Sequence, residues 1–205
     1  MISFLTAGSI LGLSAGFAPG PLLALVISET VEHGVKAGVK VALAPIITDL
    51  PIIIVTLFIL AKLSSFHSVL GVISIIGAIF ILYMGIENIR IKGVSLDINK
   101  SSPRSFQKGI IVNALSPHPY LFWFSVGGPT TLKAMDQSFP AATAFVLSFY
   151  LLLVGSKMIL AFLVGKSRTF LLGNKYIFTM RLLGGVLIIL AGFLFQDGLH
   201  LLGIL

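Results

Sequence analysis

Asp49 and Lys157 are the formal charges that fall deep inside long apolar runs, and an acid and a base in such places have chemistry to do. A charged side chain at the centre of a membrane helix costs about 2.5–3.5 kcal/mol on insertion scales. Each should therefore face inward and find a partner. The economical expectation is that the two lie close enough to pair, directly or through water. Two roles stay open for them. They can form a permanent ion pair that fixes one helix against another, or Asp49 can exchange protons or cations during transport.

Two proline motifs stand in similar apolar surroundings, Pro19-Gly20-Pro21 and Pro117-His118-Pro119. Proline lacks an N–H and clashes with the preceding turn, and glycine loosens the backbone, so neither motif continues an α-helix. Freed backbone groups are tolerated at membrane depth only where protein or a wet cavity covers them. A helix broken near the midplane is thus a candidate substrate site; a kink that only shapes packing is the other reading. Asn113, one turn before Pro117, is a further site candidate. His118 can hydrogen-bond a substrate, titrate near neutrality, or bond a freed carbonyl. Together these groups suit a small zwitterion. Asp49 and freed carbonyls would meet an ammonium. Lys157, or the half-helix N-terminus after Pro21 or Pro119, would meet a carboxylate.

The elements that must position these residues are membrane helices. The chain of 205 residues is 57% hydrophobic and 10% charged. A span needs about 20 apolar residues, and six stretches qualify: 3–28, 38–61, 66–89, 109–132, 139–165 and 177–203. The gaps are too short for a soluble domain, so 1–205 reads as one all-α polytopic membrane domain without a cleavable signal peptide. Cysteine is absent, which excludes disulfides and thiol redox chemistry. His33, His67 and His200 lack metal-ligand spacing, so no metal and no cofactor is expected, and nothing resembles an enzyme's nucleophile–base pair. Asp49 lies nine residues after Lys40, Lys157 nine before Lys166, Pro117 nine after Lys108 and Pro21 eight before Glu29. At 1.5 Å per residue that is roughly 13 Å into a slab about 30 Å thick. All four features reach one layer.

The chain also repeats itself. Pro19-Gly20-Pro21 recurs 98 residues later, Gly77-Ala78 and Gly85 recur as Gly184-Gly185 and Gly192 at an offset of 107, and Thr48-Asp49 falls on Ser156-Lys157 at 108. The expectation is two inverted three-helix repeats, about 1–92 and 106–205, joined by a linker at 93–105, with helices 1 and 4 broken by the proline motifs. Eleven Lys and Arg fall on one side of six spans, and only Lys62 and Lys133 on the other. The richer side is cytoplasmic by the positive-inside rule, which puts both termini outside the cell membrane. The net charge of +7 is then a topology signal and not a nucleic-acid footprint.

These motifs resemble the LysE-type amino-acid exporter family. The resemblance is carried by Pro19-Gly20-Pro21, by Gly34-Val35-Lys36-Ala37-Gly38, by Asp49, and by Asn113-Ala114-Leu115-Ser116-Pro117-His118 with Phe106 and Gly109 before and Leu121-Phe122 after. Leu22 stands where the family has asparagine, Ala44 and Thr48 replace glycines, Ser116 replaces asparagine and His118 replaces lysine. The resemblance implies export of amino acids or similar small metabolites from the cell by proton antiport, through a protein that can form a homodimer. Two alternatives remain: a divalent-cation or other ion exporter, and a non-transporting membrane scaffold or assembly subunit. One acid with few deep oxygen or imidazole ligands argues against a dedicated metal cage.

Overall fold

A computed structural model describes residues 1–18, 20–63, 67–90, 104–166 and 174–204. Every regular element in them is helical: α1 (Ile2–Phe17), α2 (Pro21–His33), α3 (Val35–Ala42), α4 (Ala44–Leu63), α5 (His67–Arg90), α6 (Ser105–Leu115), α7 (Pro117–Phe122), a π-helical turn (Trp123–Gly127), α8 (Gly128–Gln137), α9 (Phe139–Lys166) and α10 (Asn174–Leu201). Pro19, residues 64–66, Lys92, most of the expected 93–105 linker with Lys100, and Arg168 lie outside the described residues, as do the side chains of Lys62, His67, Pro117 and Lys175.

The chain is a polytopic membrane protein. Among the described residues three stretches are long and apolar enough to cross a bilayer, Val35–Leu60, Phe139–Lys166 and Gly184–Leu201. A fourth is the pair α1 and α2, which meet at 59°. The other two of the six expected spans take different forms. The helix α5 runs over 24 residues, His67–Arg90, and the apolar stretch among its described residues is Gly71–Glu87. The stretch 109–132 is no single helix but is shared among α6, α7, the π-helical turn and α8. The cause is local: Pro117, Pro119 and Pro129 each remove an N–H, and the π turn absorbs the misfit between the pieces. Pro51, by contrast, sits inside α4 without ending it.

Close helix contacts explain several glycines. At Gly34, φ is +85°, a left-handed conformation that closes the turn between α2 and α3. Along α1, a Cβ at Gly8, Gly12 or Gly16 would run into Phe145, Phe149 or Leu153 and Ser156 of α9, so the two backbones touch. Between α5 and α10, Gly71 meets the Gly198 carbonyl and Gly85 the Gly184 carbonyl, at 3.0 and 2.9 Å from the missing Cβ. Among the described residues, nothing lies within 4 Å of a Cβ built on Gly185 or Gly192, which the repeat pattern pairs with Ala78 and Gly85. Outward faces stay apolar, with Ile47, Leu50, Ile54 and Phe58 on α4 and Leu147, Leu151 and Phe162 on α9 all exposed. Such faces belong against lipid.

Candidate functional site

Both proline breaks open onto one cavity of about 110 Å³, room for a few waters or one small metabolite. Gly20, Pro21, Asp49, Asn113, His118, Pro119 and Lys157 all contribute to its wall. Pro19 cannot be placed, and of Pro117 only the backbone at the head of α7 is described.

Asp49, 3% exposed on α4, is held from three helices. The Asn113 amide of α6 donates to its Oδ1 at 2.8 Å and to the Thr48 hydroxyl at 2.7 Å. Both amide hydrogens are thereby used. The Thr48 hydroxyl has one proton, shared between the Ala44 carbonyl at 3.1 Å and Asp49 at 3.3 Å. The Tyr150 hydroxyl of α9 donates to Oδ2 at 3.2 Å. The Trp123 indole N–H is a nearby donor to the same carboxylate, although it makes no hydrogen bond of normal geometry. Its ring stacks on Tyr150 at 6.0 Å.

Lys157, 4% exposed, does not pair directly with Asp49. Its ammonium donates to the carbonyls of Ala15 at 3.1 Å and Gly16 at 2.9 Å, in the last turn of α1. The reason is written in the sequence. The helix partner of the Ala15 carbonyl would be the N–H of residue 19, and a proline there has none. Lys157 supplies the missing donor, and a cation also suits the negative end of a helix dipole. At the second break the orphaned carbonyls find local donors instead. Ser116 N–H reaches the Asn113 carbonyl at 3.2 Å, and the Tyr120 hydroxyl reaches Ala114 at 2.8 Å. His118 bonds the Ser116 hydroxyl at 3.2 Å and tilts against Phe80, so it is not the carbonyl partner the sequence suggested.

Two groups of residues escaped the sequence reading. Tyr150 and Trp123 are aromatic residues of a kind that most often serves packing or the membrane interface. A seven-residue spacing from Tyr150 to Lys157 puts both on one face of α9, and that signal was available; Tyr83, by comparison, is exposed. The other group lies where α2 meets α6. Glu29, 2% exposed, accepts from Lys108 at 2.5 Å and Ser105 at 2.6 Å, and His33 Nδ1 lies 3.3 Å away. Glu29 and Lys108 had served only as markers of the membrane rim.

A family model for LysE type translocators matches residues 13–198, which takes in both breaks, the cavity and every residue that holds Asp49 and Lys157. The chain belongs to the LysE type translocator family. No curated protein and no solved structure matches it. As a LysE type translocator the chain is a membrane transporter and not an enzyme, of a family that exports amino acids or small metabolites.

Proposed function

We propose that this translocator exports an amino acid or similar small zwitterion by proton-coupled alternating access, with the Asp49–Lys157 cavity as its midplane site. The observation that carries the reading is a single cavity with one acid, one base and two helix breaks in its wall. Asp49 is the proton-exchanging group; Lys157 and the broken helices orient the substrate. The protein crosses the cell membrane six times as two inverted repeats, with both termini outside.

Helix pairing supports the inverted repeat. α1 packs on α9, α4 packs on α6 and α8, and α5 packs on α10. A twofold that exchanges the first three spans with the last three generates this set. The cavity contacts follow the same rule. Lys157 lies 108 residues after Asp49, and Asn113 lies 98 after Ala15. Lys157 reaches across to Ala15, and Asp49 to Asn113. Acid and base thus each reach the end of a broken helix of the other repeat, the acid at a side-chain amide and the base at backbone carbonyls.

Efflux from proteoliposomes loaded with a panel of amino acids and divalent cations, with and without a pH gradient, tests the proposal. The expected result is gradient-dependent efflux of an amino acid that Asp49→Asn abolishes. Metal efflux would make the protein an ion exporter. No solute movement, with Asp49→Asn only lowering the melting temperature, would make it a scaffold.

A further inference from the structure

The cavity wall also carries information about the substrate side chain. Asp49 is the only acidic residue among the described residues that line it, and Lys157 and His118 are its only basic ones. Most of the remaining surface is apolar or aromatic, with Phe80, Met84, Phe122, Trp123, Phe149 and Leu153 in one continuous band. Phe122 and Phe149 stack at 4.7 Å, and Trp123 closes on Phe149 edge-on at 5.5 Å. All six of these side chains are buried.

Resting on the exporter reading above, we infer that the transported zwitterion carries an apolar side chain, of the leucine or phenylalanine class, and that basic side chains are excluded. Count the polar capacity. A carboxylate has about four acceptor sites. Asn113, Tyr150 and Thr48 draw on those of Asp49, and the nearby Trp123 N–H makes no hydrogen bond of normal geometry, which leaves room for one α-ammonium. An ammonium has three donors. Ala15 and Gly16 take two from Lys157, which leaves one for an α-carboxylate. With both poles used on the α-groups, no acid remains for a side-chain ammonium or guanidinium. Such a group would be buried against rings without a partner, a strongly unfavourable arrangement. An apolar side chain gains from the same rings.

The test uses the single tryptophan of the chain, Trp123, as a reporter, since it is fully buried and part of the cavity wall. Purified full-length protein in detergent is titrated with glycine, alanine, valine, leucine and lysine while Trp123 emission is followed. Counterflow of labelled leucine and labelled lysine in proteoliposomes runs beside it, so a silent reporter does not stop the experiment. Affinity is expected to rise about fourfold for each methylene added from glycine to leucine. Lysine is expected to bind about a hundredfold more weakly than leucine, or not at all. Isocaproate and leucinamide, which each lack one pole, should both lose most of the affinity of leucine. Lysine that binds or exchanges as well as leucine overturns the side-chain assignment and leaves the amino-acid exporter standing. A flat series from glycine to leucine does the same. Failure of every amino acid in both assays overturns the exporter reading and this inference with it.

Discussion

Asn113→Leu is the substitution that probes the site most directly. Leucine has nearly the shape of asparagine, so the exchange removes two hydrogen bonds without opening a hole. One of them is given to a buried carboxylate, at 2.8 Å, and the other to a hydroxyl, at 2.7 Å. A hydrogen bond to a charged group contributes about 1.5–3 kcal/mol and a neutral one about 0.5–1.5 kcal/mol, so the expected loss is about 2–4.5 kcal/mol. For a chain of this size that is roughly 5–15 °C of melting temperature. Thermal unfolding of the detergent-solubilised protein gives the number. A double-mutant cycle then apportions it. In an Asp49→Asn background the acceptor is neutral, so Asn113→Leu should cost at least about 1 kcal/mol less than in the wild type. Equal cost in both backgrounds would mean that Asn113 does not serve the Asp49 carboxylate. A total loss below about 0.5 kcal/mol, the ordinary size of a surface substitution, would refute the contact altogether.

Three further outcomes are expected. Lys108→Met should destabilise by about 2–3 kcal/mol, short of the 3–5 kcal/mol for a fully buried pair because the Lys108 side chain stays 27% exposed, and Glu29→Gln in the same chain should restore most of it, as read by melting temperature. Gly12→Val should abolish folding or shift α1 away from α9, since its Cβ would occupy the place of the Phe149 carbonyl, with loss of monodisperse protein on size-exclusion chromatography. Lys157→Met should abolish transport while Lys157→Arg keeps part of it, because only a cation can cap Ala15 and Gly16 and still present a free N–H; equal efflux from both variants would contradict this.

Much of the site was legible because it rests on chemistry that a string of letters carries. A proline cannot donate, so Pro19 and Pro117 announce orphaned carbonyls wherever the helix lies. A charge in an apolar run must turn inward, so Asp49 and Lys157 had to meet protein. The partners were harder, because they depend on which helices pack together. The sequence suggests that an acid and a base in one layer pair with each other. Each instead has a nearer claimant: Asn113 for Asp49, and the frayed end of α1 for Lys157. Long spans also hid their breaks. Hydropathy reads 109–132 as one stretch because it averages over Pro117, Pro119 and Pro129, whereas the backbone responds to every missing N–H.

The separation of the two charges bears directly on the proposed function. Had Asp49 and Lys157 paired directly, they would satisfy each other and leave a substrate nothing to bind. Tethers keep them apart. Asn113 and Tyr150 hold the acid, and the carbonyls of Ala15 and Gly16 hold the base. Both α1 and α6 end at the cavity, so the dipoles of these two helix ends do not decide which way a ligand points. The side chains do. One break carries a cation that exceeds the partial negative charge of its helix end, and the other carries an anion beside a helix end that is already negative. The cavity between them therefore has a positive wall at α1 and a negative wall at α6. The zwitterion of the proposed function would lie along that field with its carboxylate toward Lys157 and its ammonium toward Asp49. The same field is unfavourable to a simple cation or anion, which would gain at one wall and lose at the other.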